Sequence, residues 1–185
     1  MKKEIRVLGV DDSPFEKTQK EVLVVGTLFR GGSWLDGVLS TYIEKDGDDS
    51  TTKLTELINS SKFKPQIQAI MVDGIAFGGF NIIDIEKLNQ ETGIPVIVIV
   101  RREPDIDLIE RTLDKINMTD KKKLIQKAGK PVKVNEVFVQ FTGTTKEKVQ
   151  ELINITCTRS YIPEPVRVAH LISAGVIKGE SRGDP

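Results

Sequence analysis

The spacing of apolar residues along the chain predicts an alternation of strands and helices. Three runs rich in β-branched residues, at 4–10, 21–29 and 34–43, are separated by short turns and predict an antiparallel meander. Apolar runs predict further strands at 67–72 and 94–100, with one or two more within 132–142. A period of 3.6 residues predicts helices at 51–61, 80–91, 104–116, 119–128, 144–155 and 163–177.

The order of these elements predicts the fold class. Three antiparallel strands followed by helix, strand, helix and strand are typical of an α/β fold with a ribonuclease-H-like mixed sheet. In that sheet, parallel strands continue the meander and helices flank it. The almost wholly apolar strand at 94–100 indicates a central parallel position, and a simple doubly wound sheet is the alternative. A length of 185 residues suits a single domain spanning 1–185.

Two aspartates follow directly on apolar strands. Asp11 comes directly after the strand at 4–10, and Asp73 directly after the strand at 67–72. In the predicted sheet these strands are parallel neighbours about 4.8 Å apart, so both carboxylates lie at one edge and can share a cation. Such hard oxygen ligands suit Mg²⁺ or Mn²⁺. Taken singly, each aspartate also suits a turn, before Ser13-Pro14 or at Asp73-Gly74, but together they favour a metal site.

The segment 44–50 is dense in acids and adds candidate ligands. Asp46 and Asp49 lie just before the predicted helix at 51–61, and they reach the metal-binding edge only if the loop folds back over it. The alternative is structural, with Asp49 or Ser50 capping the helix and Asp46 starting a turn. The residues alone leave both possibilities open.

Three cationic or titratable side chains have both a chemical and a structural interpretation. Arg101 and Arg102 end an apolar strand, where they contact either a phosphate or the neighbouring acids Glu103 and Asp105. His170 is the single histidine. On the residues alone, we expect His170 to be a hydrogen-bonded packing residue.

Composition and charge narrow the functional classes. The chain has 27 basic and 27 acidic residues, which argues against binding to nucleic acid by bulk electrostatic attraction. Residues 1–92 hold 11 basic and 15 acidic residues, whereas residues 93–185 hold 16 basic and 12 acidic residues. This difference fits a metal site that faces a phosphate-binding surface, and it fits chance variation equally well. No apolar run approaches the ~20 residues of a membrane span, and the charged start does not suit a signal peptide. Because the single cysteine, Cys157, fits a reducing compartment, we expect a cytoplasmic protein with no membrane partner.

Four blocks along the chain match the motifs of one group of proteins. The first two are Gly-Val-Asp-Asp-Ser-Pro-Phe at 9–15 and Val-Asp-Gly at 72–74. The third is the Gly-Ile-Pro strand at 93–101, which ends in arginine, and the fourth is Pro-Glu-Pro-Val-Arg-Val-Ala-His at 163–170. In these blocks, and in their order, the chain resembles endonuclease V and, more closely, the related archaeal family called endonuclease dU.

The resemblance implies roles for individual residues. Asp11 and Asp73 would be the catalytic aspartates that hold Mg²⁺ or Mn²⁺, and His170 would join them as a further member of the metal site. The implied catalytic and metal-binding residues together are Asp11, Asp46, Asp49, Asp73, Arg101 and His170, with Arg101 stabilising charge on the phosphate. The implied nucleic-acid-binding residues are Tyr42, Arg101, Arg102 and Arg167.

The implied function is that of a magnesium-dependent endodeoxyribonuclease that repairs DNA containing deaminated bases, by two-metal-type hydrolysis of a phosphodiester. The partner is DNA, RNA is left open, and no oligomeric state is predicted. Two departures from endonuclease V concern recognition. Thr-Tyr-Ile-Glu-Lys at 41–45 replaces its proline-containing wedge, and Phe-Gly-Gly-Phe at 77–80 replaces a histidine-containing segment. The alternative is a non-catalytic nucleic-acid-binding or scaffold protein that retains the fold.

Overall fold

A seven-stranded mixed sheet lies between two layers of helices in the computed structural model, which describes residues 4–181. The strands are β1 (Arg6–Asp12), β2 (Glu21–Arg30), β3 (Trp34–Glu44), β4 (Ala69–Asp73), β5 (Ala76–Phe77), β6 (Asn81–Ile82), β7 (Val96–Val100), β8 (Val132–Val134) and β9 (Val137–Thr142). The helices are α1 (Ser50–Ser60), α2 (Ile85–Thr92), α3 (Ile106–Lys115), α4 (Lys122–Lys127), α5 (Lys146–Thr156) and α6 (Glu164–Lys178). Within residues 4–181, no helix has the length and apolar composition needed to cross a membrane.

The strand order in the large sheet is β3-β2-β1-β4-β7-β9-β8. Strands β1, β2 and β3 form an antiparallel meander. Strand β4 pairs parallel with β1, β7 pairs parallel with β4, and β9 and β8 continue the sheet in antiparallel fashion. This topology confirms the predicted ribonuclease-H-like mixed sheet. The doubly wound alternative is wrong, because the first three strands are antiparallel.

Alternation of side chains along the strands builds one apolar core on each face of the sheet. On the face covered by α1 and α2, helix residues such as Leu54 and Leu88 pack with Leu8, Val10 and Val72. The opposite face, called the α6 face below, is covered by α5 and α6. There, helix residues such as Leu152 and Val166 pack with Val7, Met71 and Ile97. Each fully buried apolar side chain of this kind contributes about 1.5–3 kcal/mol to stability.

Helix α6 approaches β1 closely because residue 9 is a glycine. A Cβ atom added to Gly9 would lie only 2.1 Å from the carbonyl carbon of Pro165 in the first turn of α6. From β2, the Thr27 hydroxyl donates a hydrogen bond of 2.6 Å to the Pro165 carbonyl oxygen. Helix α6 is thereby held directly above β1 and runs towards the edge at which β1 ends.

Most observed elements start and end within about two residues of the prediction, but residues 80–84 are an exception. The helix predicted at 80–91 begins only at Ile85. Before it, β5 and β6 form a small hairpin whose turn contains Gly78 and Gly79 at φ of 52° and 92°. The side chain of Asp84 then caps α2 by accepting a hydrogen bond of 2.9 Å from the Lys87 amide. The apolar spacing over 80–84 therefore resembles that of a helix, although these residues precede α2.

Candidate metal centre

The strand register places Asp11 and Asp73 side by side. Val10 of β1 is paired with Val72 of β4 in the parallel ladder, so the next residues, Asp11 and Asp73, are neighbours. Both aspartates belong to their strands rather than to the turns that follow. They continue the alternation of the residues that face α6, so both carboxylates are directed to the α6 face. The predicted meeting of two acids at one sheet edge is therefore present in the structure.

Helix α6 brings His170 to the same point. The Nδ1 atom of His170 lies 2.8 Å from the Oδ2 atom of Asp11. One potential ligand atom from each of Asp11, Asp73 and His170 lies within 4.8 Å of the others. In residues 4–181, this is the one group of at least three acidic, histidine or cysteine side chains that meets this distance. His170 thus lies at the predicted site and not in an apolar core.

The electrostatics of this group favour a cation. Burial raises the pKa of Asp11 to about 6, even though the hydrogen bond from His170 opposes the rise, and the charge of Asp73 adds to it. Burial also raises the pKa of Asp73, against the attraction of Arg101 and His170. The hydrogen bond to Asp11 raises the pKa of His170. One buried and one half-buried carboxylate beside an imidazole form a donor set suited to a small divalent cation such as Mg²⁺ or Mn²⁺, which compensates their mutual repulsion.

Sequence reasoning missed Asp12 as a member of the site. Its Oδ2 atom accepts a hydrogen bond of 2.9 Å from the Gly78 amide, so its side chain is directed away from α6, as strand alternation requires. Burial and the charge of Asp11 raise the pKa of Asp12 to about 7. The signal in the sequence is the pair Asp11-Asp12. The sequence predicts a strand that ends at residue 10. Asp12 then lies outside the strand, where strand alternation does not determine the direction of its side chain.

A cleft of about 650 Å³ opens above these residues at the edge where β1, β4 and β7 end. Its lining includes the candidate ligands Asp11, Asp73 and His170, together with Asp12, the segment 13–15 and the two arginines that follow β7. Arg101 and Arg102 were predicted to contact phosphate, and the structure places both in this cleft. The Ser13 hydroxyl, which has no hydrogen-bond partner and lies in a side chain only 2% exposed, also borders the cleft.

The acidic loop does not reach this group, which corrects the expectation for Asp46 and Asp49. The Oδ1 atom of Asp46 accepts a hydrogen bond of 2.9 Å from the Phe80 amide. The Oδ1 atom of Asp49 accepts hydrogen bonds from the Glu44 amide at 3.0 Å and from Asn81 Nδ2 at 2.6 Å. Neither residue lines the cleft or joins the ligand group, because both carboxylates bind the loop to the β5–β6 hairpin.

Two residues implied in nucleic-acid binding also lie outside the cleft. The guanidinium of Arg167 pairs with Glu164, with Nη2 to Oε2 at 2.7 Å, and Arg167 lines a separate cavity of about 450 Å³. Tyr42 is 54% exposed on β3, opposite Leu23 of β2 and so two strands away from β1. The structure therefore does not bring Arg167 or Tyr42 together with the acids, His170 and the two arginines.

Comparisons with known proteins identify the family of this chain and proteins that share its fold. A family model described as Endonuclease dU matches residues 3–177. A UPF0215 protein of Methanothermobacter thermautotrophicus is 47% identical over 190 residues, which cover 99% of this chain and 93% of that protein. A crystal structure of a protein of unknown function from Archaeoglobus fulgidus has a TM-score of 0.86 at 35% identity, covering 93% of this chain and 97% of that one. Endonuclease V of Ciona intestinalis, solved with a 24mer DNA containing an inosine followed by a ribo-adenosine, has a TM-score of 0.61 at 16% identity. That alignment covers 94% of this chain and 86% of the other, and it shows that the two share a fold.

Proposed function

The chain belongs to the endonuclease dU family, and from this premise and the cleft we propose that it is a metal-dependent endonuclease acting on DNA that contains deaminated bases. The observation that carries the proposal is the meeting of Asp11, Asp73 and His170 within 4.8 Å at the edge of the sheet. The family description names dU, the deaminated form of deoxycytidine. The structural neighbour from Ciona intestinalis was solved with inosine, which is also a deaminated nucleoside.

The residues of the cleft have different roles in phosphodiester hydrolysis. Asp11, Asp73 and His170 would hold Mg²⁺ or Mn²⁺, which when bound supplies Lewis-acid stabilisation of charge on the scissile phosphate. Arg101 and Arg102 donate hydrogen bonds to phosphate oxygens, and their guanidinium groups stabilise the additional negative charge of the transition state. Water attacks the phosphorus in line with the leaving oxygen, the bond from phosphorus to that oxygen breaks, and the proton that water loses goes to solvent, from which the leaving oxygen is protonated. The two-metal form of this mechanism stays a prediction, because a single ligand group is found in residues 4–181.

The proposal predicts cleavage that depends on both a divalent ion and the paired aspartates. DNA carrying uracil, hypoxanthine, xanthine or an abasic site is incubated with Mg²⁺ or Mn²⁺, and the nicked product is quantified. We expect the wild-type chain to nick at least one of these substrates, and Asp11→Asn or Asp73→Asn to lower the rate by about 100-fold or more. A chelator should abolish the activity.

The matched control is Asp36→Asn, which removes an aspartate on β3 that pairs with Arg6 and Arg30 outside the cleft. This variant should cleave like the wild type. Cleavage that survives Asp73→Asn would come from a contaminant and would overturn the mechanism. Binding of DNA and Mn²⁺ without cleavage would favour the non-catalytic alternative.

A further inference from the structure

An aromatic ring stands at the border of the metal-binding cleft. Phe15 is 36% exposed and lines the cleft together with the acids and His170. Phe15 also lines a second cavity of about 450 Å³, whose other walls include Glu16, Ile177 and Lys178. Pro14 and Phe15 thus line both cavities. The ring adds an aromatic face to a cleft whose lining combines charged side chains with Pro14 and Val100.

The segment that carries this ring is braced at both ends. Before Phe15, the Ser13 amide donates a hydrogen bond of 2.8 Å to the Leu23 carbonyl of β2, and Pro14 fixes its own φ angle. After Phe15, the Glu16 amide donates to Gln19 Oε1 at 2.9 Å, and the Gln19 amide donates to the Glu16 carbonyl at 3.1 Å. A backbone ordered in this way loses little conformational entropy when a ligand packs on the segment, which favours binding.

The position of the ring along the sheet edge indicates what the ligand is. Because β4 lies between β1 and β7, Asp73 lies between the segment that follows β1 and the arginines that follow β7. A ligand that spans this edge meets an apolar ring first, then a cation-binding group, and then two guanidinium groups. A nucleobase, which has a planar π-face, joined to a phosphodiester backbone offers matching features in the same order. Phenylalanine can stack on any base, because every base has a π-face.

We propose that Phe15 is a stacking platform for an unpaired nucleobase of the strand whose phosphate lies over Asp11 and Asp73. The proposal rests on the proposed function for its choice of nucleic acid as ligand. Within a duplex, neighbouring bases cover both faces of each base, so the Phe15 ring selects single strands, strand ends and bases displaced from the stack. The proposed stacking of a base on Phe15 involves only residues of the segment 13–19 and of the cleft.

A tryptophan placed at position 15 tests the stacking directly. The chain has one tryptophan, Trp34, which is 66% exposed on β3, so the double variant Trp34→Phe/Phe15→Trp reports from position 15 alone. The probe is single-stranded oligodeoxythymidylate of about 12 nucleotides, within the range that single-strand binding modules contact. Ca²⁺ replaces Mg²⁺ so that the probe stays intact. We expect its fluorescence to be quenched to a plateau, and a duplex of equal length to quench much less. Absence of quenching while anisotropy shows the probe bound would overturn the proposal.

Affinity of the same probe gives a second, independent measurement. Stacking on one aromatic ring accounts for about 5- to 160-fold in affinity, so Phe15→Ala and Phe15→Leu should weaken binding by a factor in this range, while Phe15→Tyr should not. The control is Leu108→Ala, which removes an apolar side chain 53% exposed on α3, away from the cleft. Full affinity in Phe15→Leu would show that the ring face is not used and would overturn stacking.

The outcomes separate this proposal from the proposed function. Cleavage by the wild type with unchanged affinity in Phe15→Ala removes the stacking platform and leaves the endonuclease in place. Weakened binding in Phe15→Ala, in a chain that cleaves none of the DNA substrates, supports stacking and removes the endonuclease. Failure of the wild type to bind the single strand at all overturns the stacking platform.

Discussion

Three aspartates, Asp11, Asp12 and Asp73, lie in the cleft at positions where burial raises the pKa of each carboxyl. In the metal-free chain near neutral pH, each ionised carboxylate is less stable there than in the unfolded chain. Buried acids kept at such a cost to stability are typical of functional sites. A divalent ion that binds only the folded chain offsets this cost and raises the free energy of unfolding.

Asp12 allows the cost to be measured without removing a predicted ligand. Its pKa is raised from 3.8 to about 7, so its favourable contribution is complete below pH ~4 and is lost as the pH rises towards 7. The Asp12→Asn side chain keeps an oxygen for the Gly78 amide but carries no charge. In the presence of a chelator at pH 8, we expect Asp12→Asn to have a free energy of unfolding about 1–3 kcal/mol above that of the wild type, measured by urea denaturation. The difference should shrink towards pH 5.

Asp36 is the control, because its pKa is shifted in the opposite direction from that of Asp12. Hydrogen bonds from Arg30 hold the pKa of Asp36 below its usual value, so its contribution is present at neutral pH and is lost on acidification. Asp36→Asn should therefore lower stability at pH 8. An Asp12→Asn variant no more stable than the wild type at pH 8 would show that burial of Asp12 carries no cost.

At the scale of elements, local patterns predicted the strands that carry the two aspartates and the helix that carries His170. Strands β1 and β4 are apolar runs, and α6 has a long, specific sequence block, so their types follow from residues close in sequence. The β5–β6 hairpin was missed, because two isoleucines after the Gly78-Gly79 turn extend the periodicity of α2 backwards. Strands β5 and β6 pair with each other. Each has only two residues, which is too few to show the alternation that identifies a strand.

The path of the acidic loop could not be predicted from the sequence, because a distant residue determines it. The ammonium group of Lys121, a side chain only 8% exposed, donates hydrogen bonds to the carbonyl oxygens of Asp46, Gly47 and Phe80. Lys121 follows Gly47 by 74 residues, and nothing in the local sequence of the loop indicates this contact. These bonds hold the loop to the hairpin and keep Asp46 and Asp49 away from the ligand group.

The close approach of α6 to β1 is the element-scale feature on which the position of His170 depends. In Gly9→Ala, the added methyl group would collide with the backbone of Pro165 and Val166, which cannot move aside as a flexible side chain can. We expect Gly9→Ala to lower the free energy of unfolding by about 3 kcal/mol or more, measured by urea denaturation. Because α6 must shift, Mn²⁺ affinity measured by calorimetry should also fall, by about 10-fold or more.

Gly26→Ala is the matched control on the neighbouring strand. Its Cβ would meet the end of the Leu8 side chain at 3.2 Å, a group that can adjust, and it does not touch α6. This variant should lose less stability and should bind Mn²⁺ like the wild type. Wild-type Mn²⁺ affinity in a destabilised Gly9→Ala variant would show that the close approach does not position His170.

At the scale of the whole molecule, the basic second half of the chain does not form a free cationic surface along α4. Lys122 pairs with Asp114 of α3, and Lys127 pairs with Asp84 and Glu86. These ion pairs neutralise part of the positive charge of α4. The chain has 27 basic and 27 acidic residues overall, and the two arginines proposed to contact phosphate, Arg101 and Arg102, lie in the cleft.

This distribution of charge predicts that DNA binding depends weakly on salt. Two arginines that each contact one phosphate release few counterions, so the logarithm of the binding constant should fall with the logarithm of salt concentration with a slope of about −1.4 to −1.8. Arg102→Ala should make the slope shallower by about 0.7–0.9, whereas Arg111→Ala on α3, outside the cleft, should leave it unchanged. Anisotropy titrations at a series of salt concentrations measure all three slopes. A wild-type slope steeper than about −5 would require several further phosphate contacts, and a second basic surface would then have to bind the backbone.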